Sequence, residues 1–371
     1  MNITLERDQL LNALGVVHRI VPKKADIPIL QNVLLDAGPL TITANDCDMM
    51  GTAVLAGQAG TSSDRITVPG HTLYDIVRKF PAGATINAAL EGPKGPLIVK
   101  SGRSRFSLQT LPAEDFPDFS IGEMSHHFFI PGATLAKLIG RCEFAICTEP
   151  TRFYLNGIYL HVVDGPDGPM LRLVATDGLR LAQVQTIAPP EAEGMPSVIV
   201  PRFFVSEMKR IAETAGDVEI SLSKNKIRIS NGKGTVLVSK LIDAQFPDYQ
   251  RVIPSSHSRT AVIERACLET ALDRLLTIAE GKQNAVKFAF KEDQLELTHT
   301  NPDRGFASEE IDASMTGDDF EIGFNGRFVL DVLGAAGGER IILKMGEPGA
   351  PGVFHPEDDE NALFVCMPMR V

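Results

Sequence analysis

The chain has 371 residues, a net charge of −11, 44% apolar residues and no Trp. The acidic balance argues against a generic nucleic-acid coat, and the scarcity of aromatic residues argues against stacking on single strands. No apolar run approaches the ~20 residues that span a bilayer, and the length suits two or three domains.

In chain order, MNITLERDQLL carries charges where a signal peptide has its apolar core, so a cytoplasmic location is expected. Met1–Glu6 reads as a strand feeding a helix over 7–20, with Leu10, Leu11, Leu14 and Val17 at helical spacing. A strand with a polar turn follows at LTITANDCDM (40–49), then a strand-to-helix unit at ITVPGHTLYDIVRKF (66–80). A Pro/Gly joint (82–96), strands at 97–101 and 105–110 and the turn Phe116-Pro117-Asp118 complete the first round. The second round runs from Phe128–Pro131 into a helix over 133–146, striped by Leu135, Leu138, Ile139 and Cys142. It continues through strands at 158–163, 171–176 and 181–187, the unit VIVPRFFVSEMKRI (198–211), strands at 227–231 and 235–241, and Phe246-Pro247-Asp248. The third starts at Ala261–Glu264 with a helix over 265–280 (Leu268, Leu272, Leu275, Leu276), then LELTHTNPDR (295–304) and IGFNGRFVLDVLGAA (322–336).

Asp46 and Asp177 stand 131 positions apart, and Phe116 and Phe246 stand 130 apart. Solenoid repeats run about 20–50 residues, so these are duplicated domains rather than stacked units. The expected fold is α+β, with domains at 1–122, 123–254 and 255–371, helices on one side and sheets on the other. The helical segments hold a net +4, leaving −15 elsewhere. Arg78, Lys79, Lys137, Arg141, Arg202, Lys209 and Arg210 are therefore expected on a basic concave lining. Three domains of roughly 35 Å leave a hole of about 5 Å, whereas six leave about 35 Å. A duplex is about 20 Å across, so two chains are needed to encircle it.

Few residues suggest chemistry. Thr176-Asp177-Gly178 reads as a turn rather than a catalytic Asp, because Asn45-Asp46 and Asn301-Pro302 keep the turn while changing the chemistry. His126-His127 lacks further ligands at metal spacing, and Asp164–Gly168 lacks a calcium-loop pattern and reads as a hairpin. The Ser206–Lys209 spacing lacks partner motifs, and the five cysteines, with no CxxC pair, read as free thiols. No catalytic residue, metal or cofactor is expected.

Seven stretches resemble one family, the bacterial DNA polymerase III β subunit, or replication sliding clamp. They are SGRSRFSLQTLPAEDFP (101–117), RFYLNG (152–157), VATDGLRLA (174–182), VIVPR (198–202), SKLIDAQFPDYQRVIP (239–254), IGFNGRFVLDVL (322–333) and FVCMPMRV (364–371). The resemblance implies a non-catalytic homodimer of six clamp-type domains. It would form a closed ring that encircles duplex DNA without sequence preference and tethers the replicative polymerase.

It also implies a pocket for short peptide motifs of the polymerase, the clamp loader and repair proteins. Leu155, Thr176, Gly178, Leu179, Arg180 and Leu181 would come from the second domain, and Pro247, Arg251 and Val252 from the interdomain stretch. Asn325 and Phe328 would come from the last helix, and Val365, Cys366, Met367, Pro368, Met369 and Arg370 from the C-terminal strand. Met and Leu would make a soft apolar socket rimmed by Arg180, Arg251 and Arg370. Lys23 and Lys24 match the family's DNA-facing loop. Phe106 and Leu108 are expected to meet Leu272, Leu276 and Ile278 of a second copy. Leu179 replaces a polar His that is common in the family, and Glu149 puts an acid in a loop that in relatives helps line the DNA side. Two rivals from other classes are an enzyme centred on Asp177 and a scaffold that does not bind DNA.

Overall fold

Six α-helices occur among the described residues: α1 (Arg7–Val17), α2 (Gly70–Lys79), α3 (Gly132–Cys142), α4 (Arg202–Thr214), α5 (Arg265–Leu275) and α6 (Gly326–Ala336). Each follows directly on a strand. Asn2–Glu6, His126–Pro131 and Arg259–Glu264 precede α1, α3 and α5, while Arg65–Pro69, Val198–Pro201 and Phe320–Asn325 precede α2, α4 and α6. The threefold repetition read from the sequence is therefore a repetition of strand-to-helix units. This computed structural model describes residues 1–55, 57–59 (backbone only), 64–92, 95–281 and 284–371. Pro93 and Lys94 of the expected Pro/Gly joint lie outside them.

The helices end earlier than the apolar spacing suggests. α3 and α5 pass into 3-10 turns at Glu143–Ala145 and Leu276–Ile278, where the apolar rhythm continues without α geometry. In α1 the enclosed stripe is Leu10, Ala13, Leu14 and Val17, with Leu11 only half-buried.

The chain divides into two compact units, Met1–Leu135 with Ser206–Leu241, and Ala136–Val205 with Ile242–Val371. The first holds a five-stranded sheet ordered Gly57–Ala59, Asn2–Glu6, Thr85–Leu90, Leu97–Ser101, Ser104–Leu108. It also holds a nine-stranded sheet in which Met49–Val54 pairs with Thr235–Lys240. Gly132 opens α3 here because a Cβ would lie 2.4 Å from the Ala212 carbonyl oxygen.

The second unit holds thirteen strands, and in it Arg180–Ile187 pairs with Ala362–Cys366. These two ladders join residues of different sequence thirds, so the compact units do not coincide with the thirds. Each unit takes a whole terminal third and part of the central one. The core of the second unit is built from alternation along strands such as Arg340–Met345, where Ile341, Leu343 and Met345 face inward. The apolar stripes of α5 (Leu268, Ala271, Leu272, Leu275) and α6 (Val329, Val332, Leu333) add to it.

Candidate functional site

The expected peptide-site residues all belong to the second unit. Leu181 pairs with Val365 and Arg180 with Cys366 across the ladder. Leu155, Leu181 and Val365 are enclosed together with Phe246, Tyr249 and Val353, so they form a floor rather than a contact surface. The turn leading into this ladder is tightly built. The Thr176 hydroxyl donates to the Arg180 carbonyl at 2.7 Å and accepts from the Gly178 amide at 3.1 Å. Asp177 Oδ1 accepts from the amides of Leu179 (2.9 Å) and Arg180 (3.0 Å), and Gly178 takes φ +89°. Asp177 is thus committed to the turn and not to catalysis. The turn pushes Leu179 outward to 54% exposure, and its carbonyl accepts from the Met367 amide at 2.8 Å. Val252, Met367 and Met369 are also exposed, as are Pro247, Arg251 and Arg370.

Arg180 is not the free rim cation expected. Its Nε meets Asp177 Oδ2 at 3.0 Å, Nη1 pairs with Asp331, and Nη2 donates to the Phe144 carbonyl at 2.9 Å. Its guanidinium carbon lies 4.4 Å from the Phe328 ring centroid and 5.2 Å from that of Phe144. The side chain bolts the turn to α6. Arg251 is exposed and pairs with Asp248 at 2.8 Å. Beside the turn lies a cavity of about 540 Å³ lined by Phe144, Cys147, Glu149, Arg152, Gly178 and Leu179, among others. Glu149 is tied to Arg152 at 3.1 Å there.

Burial governs ionisation around the floor. The Cys366 thiol is pushed up to about 12 by burial, so it stays protonated and inert. Burial, aided by the Arg172 charge, lowers His161 from 6.5 to about 4. Because the folded value is depressed, the unfolded chain binds the extra proton between those values. Stability is then full above pH 6.5 and falls as the pH drops toward 4. Urea unfolding should register a loss of up to ~3 kcal/mol from His161 alone, and His161→Gln should flatten that slope.

Other expected residues are distributed differently. Lys23, Lys24, Lys79 and Lys137 are exposed. Arg78 and Arg210 are also exposed but pair with Asp75 (3.0 Å) and Glu207 (3.5 Å). Arg141 is a correction: it is largely covered, pairs with Asp359 and donates to the Ala336 carbonyl at 2.7 Å, so it ties α3 to the C-terminal segment. Despite a burial cost that pulls the other way, Arg141 holds the Asp359 carboxyl below its usual range. Leu272 and Leu108 are also corrections. Leu272 is 0% and Leu108 7% exposed, so both belong to the chain's own core and offer little to a second copy. Phe106 stays accessible on the outer strand Ser104–Leu108, and Leu276 and Ile278 are half-buried. His127 is engaged with Ser221 Oγ at 3.0 Å and with the Met124 carbonyl.

Three family models match in tandem: the DNA polymerase III beta subunit N-terminal domain over 1–120, its central domain over 129–248 and its C-terminal domain over 250–370. The chain belongs to the DNA polymerase III beta subunit family. It is 41% identical to the beta sliding clamp of Caulobacter vibrioides over 374 residues and 36% identical to that of Escherichia coli over 379, covering 100% of both chains in each case. Among solved structures, a C. crescentus beta sliding clamp superposes with a TM-score of 0.97 at 40% identity, covering 100% of this chain and 99% of that one. A sliding clamp from Bartonella birtlesii bound to griselimycin matches with a TM-score of 0.94 at 41% identity over 100% of both chains. Within this family frame, sequence reading missed Phe144, Asp331 and Tyr249. Their partners lie far away in the chain, and although Tyr249 and Asp331 fall within the stretches 239–254 and 322–333, the sequence does not show which distant side chains they meet.

Proposed function

We infer that the chain is a replication sliding clamp: a non-catalytic processivity factor that holds the replicative polymerase on duplex DNA. The observation that carries this reading is the tandem match of all three beta-subunit domains over nearly the whole chain. Two copies close head to tail into a ring, each contributing clamp domains at 1–122, 123–254 and 255–371. The ring works in the cytoplasm. None of the helices of the described residues is long and apolar enough to cross a membrane.

The decisive experiment is retention on DNA. The protein, loaded on nicked circular duplex, should stay bound through gel filtration and be released when the circle is linearised. Equal loss from both forms would sink the ring reading and favour a scaffold. The lining acts through loose phosphate contacts, which are sequence-independent and allow sliding. Reversal of exposed Lys23 and Lys24 to Glu is expected to shorten retention and to lower the salt slope by roughly 0.9 per lost phosphate contact. An unchanged slope would remove this loop from the lining.

The closing contact pairs the outer strand Ser104–Leu108 of one copy with the open edge of Gly305–Asp312 of the other. Among the described residues, Gly305–Asp312 pairs with Gln294–Asn301 only. The first edge carries Arg103 and Arg105, the second Glu310 and Asp312, so the charges are complementary.

The peptide site is the surface around Leu179, Val252, Met367 and Met369, over the floor of Leu155, Leu181 and Val365. Its occupants are extended segments of the polymerase, the clamp loader and repair proteins, anchored by apolar side chains. Peptides tiled along the replicative polymerase supply the probe. Leu179→Ala and Met367→Ala should each weaken the tightest-binding peptide by about tenfold, as expected for one apolar contact. Unchanged affinity in both variants would move the site elsewhere.

A further inference from the structure

The interdomain stretch alternates between anchors and display. Phe246 and Tyr249 are buried, while Pro247, Arg251 and Val252 are exposed. Tyr249–Val252 is a single 3-10 turn closed by the Ile253 amide on the Gln250 carbonyl, 3.2 Å. One short turn therefore carries both the buried Tyr249 and the displayed Arg251 and Val252.

What fixes Tyr249 is polar. Its ring is 6% exposed, and its hydroxyl lies 3.1 Å from His161 Nε2 and 3.1 Å from Arg172 Nη1. A guanidinium can only donate, so the hydroxyl accepts from Arg172, and it shares a second hydrogen bond with His161 Nε2 that either atom donates according to the ring tautomer. The two holders are cross-strand partners in one ladder, His161 opposite Arg172. Arg172 is itself fixed by Gln185 Oε1, which accepts from Nε at 2.9 Å and Nη2 at 2.8 Å. His161 stacks on Tyr159 at 4.3 Å, and Tyr159 stacks on Phe246 at 4.8 Å. Both anchors of the stretch are thus held by one sheet face.

We propose that Tyr249 is a positioning residue of the peptide site, and that its hydroxyl, clasped by His161 and Arg172, sets where Val252 and Arg251 meet the bound peptide. The inference rests on the peptide-site reading above and assigns that site a rigid wall. A preordered wall lowers the ordering cost of binding, so its loss shows in the affinity and dissociation rate of the peptide. The clasp also responds to acid. His161 faces Tyr159 on its own strand, Arg172 on the neighbouring strand and Tyr249 on the interdomain turn. A second proton on the ring would add a cation beside Arg172.

The test uses the full-length dimer and the polymerase-derived peptide that binds the wild type most tightly. Tyr249→Phe keeps the ring and removes only the hydroxyl. It is expected to weaken binding by about tenfold, mostly through faster dissociation. His161→Leu, which can neither donate nor accept, should reproduce the loss. His161→Gln, whose side-chain amide can do either, should recover most of it. Wild-type affinity should hold down to pH 5 and fall only as the pH approaches 4, where the folded ring takes its proton, and this fall should vanish in His161→Gln. If the wild type binds but Tyr249→Phe and His161→Leu bind equally well, or lose only thermal stability, the positioning role is overturned and the peptide site stands. If none of the tiled peptides binds the wild type, both readings fall.

Discussion

Phe106→Glu should convert the dimer into monomers at micromolar concentration and abolish retention on circular DNA, while peptide binding stays at the wild-type level. Among the described residues, Ser104–Leu108 is the last strand of its sheet and pairs only with Leu97–Ser101, so its outer edge offers backbone groups for pairing. Phe106 is 38% exposed and rests edge-on against Phe80, 5.8 Å between centroids, so a polar residue is tolerated by the monomer fold. In the dimer the new carboxylate would face Glu310 and Asp312 and would have to be desolvated among like charges. A central aromatic of an interface carries ~2 kcal/mol or more, and burying an unpaired charge adds to this. The dimer dissociation constant should rise by at least ~100-fold. Light scattering reads the mass, and retention on nicked circles reads the topology. The residues proposed for the peptide site lie in the other unit, so peptide affinity should not move. A variant that remains dimeric would show that this edge does not close the ring.

Threefold repetition was legible because the turn at 177–179 and the strand-to-helix units are local features with fixed spacing. The resemblance singled out Leu155, Leu181 and Val365, which the structure encloses together, and the exposure of Leu179 follows from turn geometry at Gly178. What stayed hidden are pairings across long separations. Arg141 reads as a lining cation until Asp359 is seen beside it, 218 positions on. Leu272 sits on a helical stripe that periodicity can define but cannot orient, and the stripe faces inward. The ladders at Met49–Val54 with Thr235–Lys240 and at Arg180–Ile187 with Ala362–Cys366 cross the sequence thirds. Strand order is a tertiary property, so the thirds and the compact units differ.

Arg180→Ala should destabilise the Ala136–Val205 and Ile242–Val371 unit by ~3–5 kcal/mol, the range for removing one partner of a buried ion pair. Arg180 is only 13% exposed while answering two carboxylates, one carbonyl and two aromatic rings. Truncation leaves Asp177 and Asp331 facing each other across the vacated space with no cation between them. Asp331 is about half exposed and recovers some hydration, which places the loss toward the lower end. Arg180→Lys should recover only part of the loss. An ammonium cannot span Asp177, Asp331 and the Phe144 carbonyl at once, nor stack flat on Phe328. Urea unfolding of the three proteins, followed by a double-mutant cycle with Asp331→Asn, separates the ion pair from the packing. The peptide site should weaken in parallel, because the bolt holds the turn that presents Leu179. A loss below ~1 kcal/mol would mean that the Asp177–Leu179 turn is held by its own backbone bonds and that Arg180 acts as an ordinary surface pair.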